Sequence, residues 1–353
     1  MTKIRVLVVD DSATVRGRLV EILGDEPEFE VVGVASDGRR AVDLCTELRP
    51  DVMTLDLALP EMSGLAVTEH VMAHAPTPIL IVSSSFNRGE VFDTYEALAA
   101  GAVDVLDKTG TSEEADDGWD QRFVAAVRMV SRIKVITHPR GRLGALGRPR
   151  GKASSGELAV VPVTETSGVA LVALGASTGG PGALADVLTG VPADFALPIV
   201  VVLHIDAAFA SSFANWLATQ TGRAVRCAVD GEVLVPGTVL VAPSHHHIVV
   251  RGKRIYWNDA PPRNYCKPSI DVLFESIAAD YGSTAMACLL TGMGRDGAAG
   301  MLAIRRAGGL TIAQDEATSV VWGMPREAVA NGGAARVLPL HQISAAICRT
   351  VKP

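Results

Sequence analysis

The chain has 353 residues, of which 48% are hydrophobic, 20% charged and 5% aromatic, a globular composition with room for two domains. A net charge of −7 excludes a general nucleic-acid binder, whose footprint would be basic. Five scattered cysteines without a C-x-x-C pair exclude a zinc ribbon or a disulfide framework and point to a reducing compartment. The opening MTKIRVLVVDD has too short an apolar run for a signal peptide, and runs such as ALPIVVVL at 196–203 are far short of a membrane span. A cytoplasmic, soluble chain without membrane insertion is the expectation.

Residues 1 to about 108 alternate two patterns. Continuous apolar runs at 4–9, 29–34, 52–55, 79–82 and 103–106 predict buried parallel strands. Helical patterns cover 13–23, 38–48, 64–74 and 89–100, and a fifth covers 119–136. Strand and helix in alternation predict a doubly wound α/β domain.

Asp10 and Asp11 follow the first strand, and Asp56 ends the third. In a parallel sheet these ends share one edge, where doubly wound folds bind ligands. Three crowded carboxylates repel one another, and Mg²⁺ suits such an oxygen-only site. Asp10-Asp11-Ser12 reads equally well, on its own, as a helix N-cap. Ser83 ends the fourth strand and Lys108 the fifth, a hydroxyl and an ammonium suited to an added phosphoryl group. With these five positions at successive strand ends, residues 1–125 resemble a two-component receiver domain, of flavodoxin-like fold. The resemblance implies that Asp56 is the phosphoacceptor, that Asp10, Asp11 and Asp56 hold Mg²⁺ with the Ala58 carbonyl, and that Ser83 and Lys108 sense the phosphoryl group. Thr109 stands where that family usually has proline, and Ser63 where an aspartate is common.

Residues 126–164 hold the end of the fifth helix and a basic tether. Ile133 to Gly156 carries six Lys or Arg and no acid, among glycine, proline and serine. Such a run is a solvated linker, or a patch for something acidic.

Residues 165–353 read as a second, Rossmann-like α/β domain. Strands are predicted at 169–174, 198–203, 225–229, 238–242, 285–290 and 310–313, a hairpin at 247–257 turning at Arg251-Gly252-Lys253, and helices at 182–190, 207–220, 269–280, 297–307 and 325–331. In LVALGASTGGPGAL, Gly175 to Gly179 match G-x-S-x-G, a short pattern that fits a nucleophile elbow or a helix cap at Ser177. A serine hydroxyl needs a base to take its proton and a third group to orient the base. His204 ends a second buried strand, and Asp296 lies in LLTGMGRDGAAG after a third. All three fall on one sheet edge. His245, His246 and His247 are consecutive, so they cannot all face one ion, and no acidic cluster completes a ligand set. His70 and His74 form an i,i+4 pair without the H-E-x-x-H glutamate and read as surface residues.

The order Ser…His…Asp differs from that of α/β-hydrolases. With VLHI, KPSIDVLF and AQDEATSVVWGMPREAV in addition, residues 168–350 resemble the catalytic domain of the chemotaxis protein-glutamate methylesterases, and the receiver in front completes that family's architecture. The resemblance implies Ser177 as nucleophile, His204 as general base and then acid, Asp296 as its orienter and the Met293 N–H as an oxyanion donor. Thr178 is a neighbour of the site, and Gly323-Met324-Pro325 is structural lining. Cys266 and Lys267 stand where the family has histidine and arginine, and are expected to touch substrate approach rather than the three catalytic groups. The implied activity is hydrolysis of glutamyl methyl esters on chemoreceptors, with deamidation of glutamines, stimulated when a chemotaxis histidine kinase phosphorylates Asp56. It needs no cofactor for the ester reaction and no nucleic acid. A non-catalytic response regulator would be favoured by loss of Ser177, His204 or Asp296, and all three are present. A transcription factor is disfavoured by the acidic charge and by the lack of a helix-turn-helix.

Overall fold

A computed structural model describes residues 2–84, 88–108, 118–133, 135 and 168–350. The basic tether beyond residue 135 and the position of Thr109 lie outside the described residues.

The first sheet contains β1 (Ile4–Val9), β2 (Phe29–Ala35), β3 (Val52–Leu55), β4 (Ile79–Ser83) and β5 (Asp104–Asp107), all parallel in the order β2-β1-β3-β4-β5. Central β3 is buried along its whole length, as its unbroken apolar run requires when helices cover both faces. Those helices are α1 (Ala13–Gly24), α2 (Gly38–Leu48), α3 (Gly64–His74), α4 (Arg88–Ala100) and α5 (Trp119–Val130). Ser12 caps α1 through Val15 N–H, Asp37 caps α2 through Arg40 N–H, and Ser63 caps α3 through Ala66 N–H. The serine that departs from the receiver pattern therefore has a local task. Helix α5 ends at Val130, earlier than the expected 136; the Ser131 hydroxyl turns back to the Arg128 carbonyl, and the next N–H groups, of Arg132 and Ile133, bond three residues back to Met129 and Val130 in a tighter turn.

The second sheet has seven parallel strands in the order β14-β13-β12-β6-β7-β9-β8. They are β6 (Leu171–Ala176), β7 (Ile199–Leu203), β8 (Ala224–Cys227), β9 (Thr238–Val241), β12 (Ala285–Leu289), β13 (Leu310–Gln314) and β14 (Arg336–Leu338). Strands β10 (His247–Arg251) and β11 (Arg254–Asn258) form the expected hairpin, with Gly252 in its turn at φ 58°. Helices α6 (Gly180–Gly190), α7 (Ala207–Thr221), α8 (Ile270–Tyr281), α9 (Ala298–Arg306), α10 (Met324–Ala330) and α11 (Leu340–Cys348) complete the unit. Strand β14 and helix α11 have no counterpart in the sequence reading. The strand is three residues long and only half buried, so its alternation is too short to register.

Chain direction reverses about β6. The chain runs outward through β7 to β8 and β9 and then returns to β12 on the other side of β6. The crevice above such a switch point is where open α/β sheets bind ligands. The two units are in contact: α4 lies against α6 and α7, and Tyr95, Leu98 and Ala99 share a buried cluster with Ala183, Phe209, Phe213 and Trp216.

Candidate active site and phosphoacceptor site

Ala176 and Leu203 are register partners at the ends of β6 and β7, and His204 N–H donates to the Ala176 carbonyl at 3.0 Å. Ser177 and His204 are thus the next residues on adjacent strands. Gly179, not Ser177, occupies the cap position of α6, in left-handed backbone at φ 75°. A side chain there would strike Val320, its Cβ lying 2.6 Å from that residue's Cβ. The cap reading of Ser177 therefore fails, and among the described residues its hydroxyl has no hydrogen-bond partner.

Asp296 reaches the site from the loop after β12. One carboxylate oxygen lies 3.0 Å from His204 Nε2 and accepts the Ile270 N–H at 2.7 Å; the other accepts the Ser269 hydroxyl at 2.7 Å. The carboxylate is seated on the N-terminus of α8, where unpaired N–H groups and the helix dipole favour negative charge. Burial opposes its ionisation, but the His204 bond and these donors win and lower its pKa to about 2. Burial likewise opposes the charge on His204, and its partners, Asp296 foremost, push its pKa up to about 9. His247 stands behind: its Nδ1 accepts the Ser269 N–H at 3.0 Å and its Nε2–H donates to the Pro261 carbonyl at 3.1 Å. His245 is exposed and His246 stacks on Trp257, so the three consecutive histidines do face apart.

The loop after β12 also passes under Ser177. Ser177 N–H donates to the Thr291 carbonyl at 3.0 Å, and Thr291 Oγ1 donates to the Thr178 carbonyl at 2.9 Å. Gly292 comes so close that an added Cβ would lie 2.7 Å from that of Ser177. Met293 follows; among the described residues its N–H has no acceptor. Gly323-Met324-Pro325 packs beneath, with Gly323 and Met324 N–H both on the Gly292 carbonyl. One expectation needs correction. Cys266 lies against His204 itself, its Sγ 3.6 Å from Nδ1, because the loop 263–266 turns sharply back on the strand end. Lys267 points away, with Nζ 3.3 Å from the Asp259 carbonyl. The Nδ1 that faces Cys266 makes no bond to Ser177 Oγ among the described residues.

In the first unit, Lys108 Nζ lies 2.8 Å from Asp10 and 2.7 Å from Asp56. Burial disfavours the ammonium, but the two carboxylates outweigh it and hold its pKa above the ordinary value. For Asp10 burial prevails over Lys108 and raises the carboxyl. Ligand oxygens of Asp10, Asp11 and Asp56 lie within 4.8 Å of one another, and Ser83 is buried at the end of the neighbouring strand.

A family model described as CheB methylesterase matches residues 172–347, and one described as response regulator receiver domain matches residues 6–117. A protein-glutamate methylesterase/protein-glutamine glutaminase of Anaeromyxobacter dehalogenans is 44% identical over 98% of this chain and 96% of its own length. The chain belongs to the CheB methylesterase family. Another relative of that name, from Geobacter metallireducens, is 38% identical over 98% of both chains. The crystal structure of the Thermotoga maritima CheB methylesterase catalytic domain superposes with a TM-score of 0.50 at 35% identity, covering 53% of this chain and all of that one. With its receiver in front, this member of the CheB family has a hydrolase unit under the control of a phosphorylation unit.

Proposed function

We propose that this protein hydrolyses γ-glutamyl methyl esters on chemoreceptor signalling helices in the cytoplasm, deamidates receptor glutamines by the same route, and is stimulated when a chemotaxis histidine kinase phosphorylates Asp56. In this reading residues 1–125 are the receiver, 126–164 the tether and 165–353 the esterase. The observation that carries it is the meeting of two strand ends and a loop: Ser177 beside His204 across β6 and β7, and Asp296, from the loop after β12, bonded to His204 at 3.0 Å.

Ser177 Oγ attacks the ester carbonyl carbon as His204 Nδ1 takes the hydroxyl proton. Asp296 holds the opposite ring nitrogen and stabilises the imidazolium that forms. The carbonyl oxygen becomes an oxyanion that accepts a hydrogen bond from Met293 N–H, a donor type worth about 10²–10³ in rate. The C–O bond to methoxide breaks, methanol leaves with the proton from His204, and water then cleaves the acyl-serine by the same steps in reverse. A primary amide follows the same path with ammonia as leaving group.

In the receiver, the oxygen-only donors Asp10, Asp11 and Asp56 fit Mg²⁺, which when bound would offset negative charge around the transferred phosphoryl group. Asp56 carries the phosphoryl group, and Lys108, which lies on Asp10 and Asp56, turns to it together with Ser83.

Methanol release from methyl-labelled chemoreceptor membranes tests this, with and without a small phosphodonor. Turnover is expected to vanish in Ser177→Ala, and phosphodonor stimulation to vanish in Asp56→Asn. Turnover that survives Ser177→Ala would assign the nucleophile elsewhere, and stimulation that survives Asp56→Asn would remove Asp56 from the control.

A further inference from the structure

The Cys266 sulfur has no part in the ester reaction, yet the fold fixes it against the base. Arg263 and Cys266 exchange backbone hydrogen bonds of 3.1 and 2.9 Å, closing a loop in which Asn264 and Tyr265 both take left-handed backbone, at φ 51° and 64°. Arg263 is anchored on Glu275 at 2.7 Å, and Asn264 Nδ2 donates to Asp271 at 2.9 Å and to Asp296 at 3.2 Å. Cys266 Sγ then stands 3.6 Å from His204 Nδ1, with the carboxylate of Asp296 on the other ring nitrogen.

Those distances are those of a metal site. Zinc binds thiolate sulfur at about 2.3 Å and imidazole nitrogen at about 2.0–2.1 Å, so a tetrahedral ion sets its sulfur and nitrogen about 3.6 Å apart. A metal-binding histidine also donates its second N–H to a carboxylate, which fixes the tautomer, and Asp296 is that partner. Ligand-type atoms of His204, Cys266 and Asp296 all lie within 4.8 Å of one another.

We propose that Cys266 Sγ and His204 Nδ1 form a binding site for a soft divalent cation, zinc by preference, and that its occupancy shuts off the esterase. The inference rests on the reading of His204 as the base: the ion takes the nitrogen lone pair that Ser177 needs. As the ion binds, the thiol and any proton on His204 Nδ1 are both given up to water. Two protein ligands leave positions for water or the Ser177 hydroxyl, so binding is weaker and more readily reversed than at a four-ligand structural site. Thiolate softness separates this site from the carboxylate oxygens of the receiver, which suit Mg²⁺.

The test is a Co²⁺ titration of the full chain in excess Mg²⁺, following the near-ultraviolet thiolate-to-cobalt charge-transfer absorption. Inhibition of methanol release by Zn²⁺, and its reversal by a chelator, is measured in parallel. Wild type is expected to gain the absorption at one ion per chain and to lose at least tenfold in turnover. In Cys266→Ala, and in Cys266→Ser, which keeps the size of the side chain, the absorption is lost and the inhibitory Zn²⁺ concentration rises at least tenfold, each variant measured against its own uninhibited rate. Equal absorption and equal inhibition in the variants, or no absorption in wild type, overturns the site. A chain that gains the absorption but releases no methanol from any receptor upholds the site and sinks the catalytic reading instead.

Discussion

Asp296 and His204 share a hydrogen bond of 3.0 Å, and in the proposed reaction this pairing is expected to set the pH dependence. The base must be neutral to accept the Ser177 proton, and its pKa is raised from 6.5 to about 9. Turnover per unit substrate is therefore expected to climb with pH through about 9. The same shifts mean that the ion pair stabilises the fold in full between pH 3.8 and 6.5, fades as pH rises through about 9, and is lost in acid as pH falls through about 2. In Asp296→Asn the rate should fall by about 10³–10⁴-fold and the midpoint of the pH profile should move down; a profile that stays in place would mean another group sets the ionisation of His204. Gly292 makes a second prediction at this scale. A methyl there would meet Met324 Cε at 2.4 Å and Ser177 Cβ at 2.7 Å. Gly292→Ala should displace the backbone carrying Met293 N–H and cost about 10²–10³ in kcat, with far-UV circular dichroism unchanged.

Helix α8 shows how an element, rather than a side chain, builds the site. Ser269 caps it through Val272 N–H, donates its hydroxyl to Asp296 and is itself held by His247. Asp271, one residue into the helix, accepts Gly300 N–H at 2.7 Å and so ties α8 to α9, which follows the Asp296 loop. Ser269→Ala removes a cap and one donor to the carboxylate. It should cost about 1 kcal/mol of stability, read as a fall in Tm of about 2–4 °C, and lower kcat more than it raises KM. A loss confined to Tm would make Ser269 a cap and nothing more. The KPSIDVLF motif carries this helix start, but the motif by itself gives no sign that the helix N-terminus is aimed at a residue 27 positions later. His247 was legible only as one of three consecutive histidines. Its burial and its bond to Ser269 come from the hairpin packing on α8.

At the scale of the whole molecule, α4 of the receiver sits on the helices that follow Ser177 and His204. Tyr95 donates its hydroxyl to the Phe209 carbonyl, and Glu96 accepts from Trp216 Nε1 at 2.9 Å and from Gln220. Because α7 starts three residues after His204, this contact bears on the edge of the active crevice. Hydrogen bonds to a charged group are worth about 1.5–3 kcal/mol, less here because Glu96 is partly exposed. Glu96→Ala is expected to raise unphosphorylated turnover roughly three- to tenfold and to shrink the phosphodonor response in proportion; unchanged basal turnover would relieve this contact of a restraining role. Chelation of Mg²⁺ should abolish phosphodonor stimulation and leave unphosphorylated turnover no lower.

The sequence by itself determined the alternation of strand and helix, both doubly wound units and the strand ends on which Asp10, Asp56, Lys108, Ser177 and His204 sit. Those features are local: unbroken apolar runs mark buried parallel strands, and a polar residue at the end of each marks the ligand edge. The tertiary structure alone decided which strands neighbour one another, and hence that His204 stands beside Ser177 while Asp296 arrives from the opposite side of β6. It also decided that Cys266, 62 residues from His204 in sequence, comes against the ring of the base, and that α4 covers α6 and α7. Contacts of that kind depend on crossover connections and loop closure, which leave no period in the chain for composition or spacing to reveal.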